Sequence, residues 1–194
     1  MKVDISLVEW AAENAESLLA PLGNRWLHVQ GVVERARWIG EIFDAEDKAL
    51  LIASAYMHDI GYAPSLKKTG FHPLDGACYV RSLGYERLGS LVAYHSSAYF
   101  EAELRGFEKA LSEFTCERSV VADALTYCDM TTNSVGLPVT LKERLADIFS
   151  RYGDADVVTQ ALHKALPYIS LSVGRTQLRL RKHGLMVESQ VITG

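Results

Sequence analysis

Apolar residues recur at intervals of three and four along nearly the whole chain, and this helical spacing is the strongest constraint on its fold. No convincing stretch of useful length alternates between apolar and polar residues, as a half-buried strand does. Glycine and proline punctuate the periodic stretches. The pattern therefore predicts an all-α helical bundle. The predicted helices span 5–20, 24–43, 45–59, 72–84, 86–98, 100–113, 117–132, 141–152 and 155–182, with a kink or break at Pro167 in the last.

Composition narrows the classes of protein to consider. The 194 residues contain no linker-like tract, which favours a single domain over 1–194. The net charge of −4 argues against a general nucleic-acid-binding protein, and no run approaches the roughly 18 apolar residues of a membrane span. The acidic first residues do not resemble a signal peptide, and the three cysteines lack CxxC spacing. We therefore expect a cytoplasmic protein with reduced thiols.

Side chains that ligate metals fall on the apolar stripes of four predicted helices. His28, His58, His95 and Asp129 each continue a row of apolar residues at helical offsets. A single imidazole on such a stripe is commonly a hydrogen-bonded core residue. A buried carboxylate needs a cation or strong donors, which applies to Asp129 and also to Asp59. Imidazoles and carboxylates from several helices together favour a divalent metal.

The order His28, then His58-Asp59, then Asp129 resembles the HD superfamily of metal-dependent phosphohydrolases. The resemblance covers roughly residues 25–133. It implies an HD-domain helical bundle in which these four residues hold a divalent metal. The metal-binding core would span about 22–135, and C-terminal helices over 140–183 would complete the same domain.

Two further histidines fall between the HD pair and the last aspartate. Members of the superfamily with two metals add two histidines in this interval, and His72 and His95 lie there in that order. The resemblance therefore implies a two-metal site, with His72, His95 and a bridging Asp59 on the second ion. Without a metal, His72 would be a helix cap and His95 a core residue. Iron or manganese is expected first, with zinc, cobalt, nickel or magnesium as alternatives.

Cationic and polar residues near these positions are candidates for substrate contacts. Lys67 and Lys68 lie in the loop after the HD pair, and we expect them to draw in a phosphate during catalysis. Arg25 and Arg105 could clamp an anion bidentately, and Asn133 could line the pocket. Each of these side chains could equally be an exposed residue or part of a surface ion pair.

The resemblance implies a hydrolase that cleaves a nucleotide or another small phosphate ester. Metal-activated hydroxide would attack phosphorus, with Asp59 catalytic as the bridging ligand. Two alternatives remain open: a mixed-valence di-iron oxygenase of the HD fold with the same ligands, and a non-catalytic module that binds metal or nucleotide. The expected partner is a small phosphorylated substrate, with no membrane or nucleic acid, and a homodimer is left open.

Overall fold

The computed structural model describes residues 6–185, which contain ten α-helices and no strand. The helices are α1 (Leu7–Leu19), α2 (Asn24–Ile39), α3 (Ala45–Met57), α4 (His72–Ser82), α5 (Glu86–Tyr94), α6 (Tyr99–Arg105), α7 (Glu108–Leu111), α8 (Val120–Met130), α9 (Leu141–Tyr152) and α10 (Val157–Lys182). An isolated β-bridge joins Thr132 to Pro138. The prediction of an all-α fold is confirmed.

Polar caps determine where several helices begin. The Asp44 side chain accepts from the Asp47 backbone N–H at the start of α3. At α9, Thr140 and Glu143 form a reciprocal capping box. These side chains satisfy backbone donors that have no partner within the helix. Both starts agree with the helices predicted at 45 and 141.

The helix predicted over 86–98 ends earlier than the apolar pattern suggested. Helix α5 stops at Tyr94, and residues His95–Ser97 form a 3₁₀ turn. Ser96 and Ser97 have φ values of 49° and 62°, in the left-handed region that few non-glycine residues occupy. These two residues interrupt the helix directly after a candidate metal ligand. Strained backbone of this kind is often found at functional sites.

Two other predicted helices also differ from the structure. The stretch predicted over 100–113 is divided into α6 and α7, because Gly106 adopts φ 75° between them. Of the kink or break predicted at Pro167, the break is wrong, since α10 continues through that residue from 157 to 182. Pro167 cannot donate the hydrogen bond that a helix interior normally has at each residue. Helix α10 nevertheless stays continuous at this position, and it packs along both α8 and α6.

Helix α3 occupies the centre of the bundle and leads the chain into the candidate site. It packs against α1, α2, α5 and α8, and all of its residues from Leu50 to Ala55 are buried. Helices α9 and α10 cover α8 from the other side. One cluster of buried apolar residues extends from Ala11 to Leu180. A single domain over all of 1–194 remains a prediction.

Two glycines allow backbone segments to approach each other beside the site. A Cβ atom at Gly31 in α2 would lie 2.2 Å from the carbonyl oxygen of Gly136. A Cβ atom at Gly61 would lie 2.0 Å from the carbonyl oxygen of His72. Only glycine permits such approaches. Gly61 thereby brings the start of α4 against the turn that follows the HD pair.

None of the helices within residues 6–185 combines the length and the apolar character needed to cross a membrane.

Candidate metal centre

Six histidine and aspartate side chains from five helical segments converge at the ends of α3 and α5, the start of α4, and along α2 and α8. They form two groups, and within each group the potential ligand atoms lie within 4.8 Å of one another. One group is His28, His58 and Asp129, and the other is Asp59, His72 and His95. The structure therefore brings together every residue that the sequence proposed as a metal ligand.

The first group is buried and leaves one nitrogen without a partner. His28 Nε2 lies 3.1 Å from Asp129 Oδ1. His58 is fully buried, and its Nε2 has no hydrogen-bond partner among residues 6–185. A buried polar atom without a partner is costly and needs an explanation. A cation beside this nitrogen and the Asp129 carboxylate would satisfy both, so the donor set fits a divalent metal.

The second group lies closer to solvent. Asp59 Oδ1 is 3.3 Å from His72 Nε2, which is also 3.3 Å from His95 Nε2. Two ring nitrogens that face each other cannot both be satisfied by a hydrogen bond unless one of them carries a proton. Both could instead donate their lone pairs to a single ion. Two imidazoles and a carboxylate suit a first-row transition metal.

Asp59 lies between the two groups. Its Oδ2 is 3.4 Å from His58 Nε2 and 3.9 Å from His28 Nε2, whereas its Oδ1 faces His72. Each carboxylate oxygen is therefore directed to a different group of histidines. This position fits the bridging role that the resemblance implied.

Backbone carbonyls fix the orientation of three of the four imidazoles. In each case the ring Nδ1 lies within hydrogen-bond distance of a carbonyl oxygen: His28 with Asn133 at 2.9 Å, His58 with Ala55 at 2.8 Å, and His95 with Val92 at 2.6 Å. Donation from Nδ1 leaves the Nε2 lone pair free to bind a metal. The carbonyls thus set the tautomer that metal binding requires.

The two aspartates are held in their charged form. Burial alone would raise the pKa of Asp59, but the Arg25 charge and His58 outweigh it and lower that pKa well below its usual range. Burial likewise opposes the charge of Asp129, but the contact with His28 and the charges of His58 and Arg144 together outweigh it, so the Asp129 pKa is also lowered. Both carboxylates are therefore anionic at neutral pH, as metal ligands must be.

The histidines respond to different surroundings. Burial, together with His72 and His58, lowers the pKa of His95 to about 4, so its ring is neutral at pH 7. Burial also disfavours the charged form of His58, but the attraction of the negative Asp59 carboxylate outweighs burial, so the His58 pKa is raised. The negative potential at His58 therefore favours a positive charge, which either a proton or a metal ion can provide.

A layer of stacked side chains supports Asp59 from the side of the cavity. Arg25 Nη1 donates to Asp59 Oδ2 at 2.5 Å, and its guanidinium lies 3.9 Å from the centre of the Tyr62 ring. Tyr62 in turn stacks on the His72 ring at 4.1 Å. Arg25 and Tyr62 thus orient one ligand each. Tyr62 was not proposed from the sequence, although it follows Asp59 by only three residues in the segment YMHDIGY (56–62).

A cavity of about 110 Å³ opens onto the second group of ligands. Its walls include Asp59, His72, His95 and Asp129, whereas His28 and His58 lie behind them. Arg25, Arg144 and Arg151 also line the cavity. Small molecules can therefore reach the candidate metal centre from this side.

The two loop lysines are not among the residues that line this cavity, contrary to the expected role of Lys67 and Lys68 in catalysis. Both are exposed. The Asp75 carboxylate accepts backbone N–H groups from Lys68, Thr69 and Gly70 and holds the loop against α4. The loop is therefore organised around Asp75, and its lysine side chains point to solvent. The sequence showed that the lysines follow the ligands but could not show the direction of their side chains.

Arg105 and Asn133 also differ from the substrate contacts that were expected. Arg105 Nε donates to Glu101 at 2.7 Å, and Arg105 does not line the cavity. The Asn133 side-chain oxygen accepts from the backbone of Val135 and Leu137, and its own carbonyl orients His28. Asn133 therefore supports a ligand, and among the arginines proposed from the sequence only Arg25 lies at the cavity.

Three residues at the centre besides Tyr62 were missed. Arg144 and Arg151 come from α9, and Ser96 donates a short hydrogen bond through its hydroxyl group to Asp129 Oδ2. The seven-residue spacing of the arginines places both on one face of a helix. No local signal connects that face to the metal ligands, since their contact depends on how α9 packs against α8.

Comparison with known families agrees with this arrangement. The model of the HD domain matches residues 25–133, which is more than half of the chain and includes all six candidate ligands. Comparison with curated proteins and with solved structures found no match.

Proposed function

The chain belongs to the HD domain family, and from this premise we propose that it is a metal-dependent phosphohydrolase acting on a small phosphate ester or anhydride, such as a nucleotide. The family consists mostly of metal-dependent hydrolases. The observation that supports the proposal best is the position of Asp59, whose two oxygens face two separate groups of histidines.

Two divalent ions are proposed as cofactors, iron or manganese first. His28, His58 and Asp129 would hold one ion, His72 and His95 the other, and Asp59 would contribute to both. Ions held by these residues would lower the pKa of water and polarise phosphoryl oxygens, which is the chemistry that ester hydrolysis at neutral pH needs.

The residues of the chain provide position and charge. The backbone carbonyls hold three imidazoles with Nε2 toward the centre, which removes the need to reorganise on metal binding. Arg25 and Tyr62 keep Asp59 and His72 in place at the mouth of the cavity. Preorganised groups of this kind favour catalysis because they need not be ordered during the reaction.

The test is metal analysis followed by activity measurements on the full-length protein. Protein purified without oxygen is expected to contain up to two transition-metal ions per chain and to release phosphate from a panel of phosphate esters with manganese or iron. Asp59→Asn is expected to lose metal and activity. Asp123→Asn is the matched control, because Asp123, on α8, is a paired carboxylate like Asp59 but does not line the cavity.

The same preparations distinguish the alternatives. Uptake of oxygen by the iron-loaded protein without phosphate release would favour the oxygenase. Bound metal without turnover of either kind would favour a binding module. Absence of any bound divalent metal after reconstitution would contradict the hydrolase, the oxygenase and a metal-binding module.

A further inference from the structure

The most unusual charged group outside the ligand set is the Arg144 guanidinium. Arg144 is only 6% exposed and lines the cavity. Its Nη2 is 3.6 Å from Asp129 Oδ1, and its Nη1 is 3.5 Å from Asp147 Oδ2. Neither Nε nor Nη1 has a hydrogen-bond partner within the described part of the chain. A buried guanidinium with unused donors is costly unless a ligand supplies the acceptors.

Nearby carboxylates lie close to the guanidinium but leave its Nε and Nη1 without a hydrogen bond within the described part of the chain. Asp129 already accepts from Ser96 and lies 3.1 Å from His28 Nε2. Asp147 accepts two hydrogen bonds from Arg151, at 3.0 and 3.2 Å. Asp147 therefore pairs with Arg151 and Arg144 together and holds both guanidinium groups at the same wall of the cavity.

We propose that Arg144 and Arg151 form an oxyanion clamp that binds the terminal phosphoryl group of the substrate beside the metal centre. A planar guanidinium matches two oxygens of a phosphate with parallel hydrogen bonds. Arg144 is the buried anchor and Arg151, which is more exposed, is the outer contact. The clamp comes from α9, beyond the residues 25–133 that the family model matches.

This inference rests on the proposed function, because it assigns the substrate group that the same cavity receives. It also explains how a chain with a net charge of −4 could admit a polyanion. Arg25 donates its short hydrogen bond to Asp59, which is itself a candidate metal ligand. Arg151 instead pairs with Asp147, which does not line the cavity. The two arginines of α9 are the remaining cationic side chains among the cavity-lining residues that the structure describes.

The test is calorimetric titration of the full-length protein with inorganic phosphate, both as isolated with metal and after chelation. Arg144→Met is expected to weaken phosphate binding by roughly ten- to a hundred-fold, the usual effect of losing hydrogen bonds to a charged group. Arg151→Met should weaken it by about two- to five-fold, because exposed pairs contribute less. Metal content should not change. Arg87→Met is the matched control, since Arg87 also contacts two carboxylates but lies outside the cavity.

Wild-type phosphate affinity in Arg144→Met, with metal content unchanged, would overturn the clamp and leave Arg144 as a counterion of Asp129. Loss of metal in that variant would also overturn it. If Arg144→Met does not fold, the decision rests on Arg151→Met. A phosphate affinity of Arg151→Met equal to that of Arg87→Met would then reject the proposal. Phosphate binding that depends on Arg144 without ester hydrolysis would reject the proposed function alone. Hydrolysis that is independent of both arginines would reject the clamp alone.

Discussion

Substitution of Gly31 by alanine tests the contact that positions the first ligand. The new Cβ atom would lie 2.2 Å from the carbonyl oxygen of Gly136, and the separation must grow to at least 3.0 Å. The neighbour is backbone, so helix α2 or the loop after α8 must move. If α2 and the loop separate by that amount, the Asn133 carbonyl moves beyond hydrogen-bond range of His28 Nδ1, which is now 2.9 Å away.

Two opposing contributions set the expected magnitude. Alanine in a helix interior is favoured over glycine by about 0.8–1.0 kcal/mol. Overpacking a close contact costs about 1–3 kcal/mol. Gly174→Ala in α10 is the matched control, because a Cβ atom there would meet nothing within 4 Å. Both variants replace glycine by alanine inside a helix, so the helix-propensity contribution cancels when their unfolding free energies are compared. We therefore expect Gly31→Ala to be less stable than Gly174→Ala by about 1–3 kcal/mol.

The assay is urea unfolding of the metal-free protein, followed by measurement of metal affinity. Loss of the hydrogen bond that orients His28 should weaken metal binding by roughly ten- to a hundred-fold, as for other groups that support metal ligands. Gly174→Ala should keep the affinity of the wild type. Equal stability and equal metal affinity in the two variants would refute the close approach of α2 to the loop.

Three further outcomes are expected. His72→Ala should remove one metal ion per chain and leave the other, as measured by elemental analysis, and retention of both ions would refute its role as a ligand. Combined replacement of Lys67 and Lys68 by alanine should change kcat/KM for a phosphate ester by less than about two-fold, since both are exposed, and a larger loss would place the loop at the substrate. In the metal-free protein the pKa of His95 is lowered to about 4, from an unfolded value near 6.5. The unfolded state therefore binds the proton first, and stability should fall by up to about 3 kcal/mol as pH drops from 6.5 to 4. Urea unfolding at a series of pH values should show that the free energy of unfolding falls less in His95→Gln than in the wild type. An equal fall in the two proteins would show that His95 is not its source.

Much of the fold and of the ligand set could be predicted from the sequence because both depend on short-range patterns. The apolar spacing predicted an all-α chain, and caps such as Asp44 and Thr140 marked helix starts. His28 and Asp129 were recognisable because a polar ligand on an apolar stripe must face the core. Their order along the chain then indicated the family, which the match over 25–133 shows.

The tertiary structure decided which cations line the cavity beside the candidate metal centre. Lys67 and Lys68 are close to the ligands in sequence, yet Asp75 holds their loop so that both are exposed. Arg144 follows Asp129 by a loop and a helix start, yet α9 packs against α8 and brings the two side chains within 3.6 Å. Periodicity identifies the buried face of a helix, but the neighbour of that face depends on packing between distant segments. The candidate ligands could therefore be predicted from the sequence, whereas the other residues that line the cavity could not.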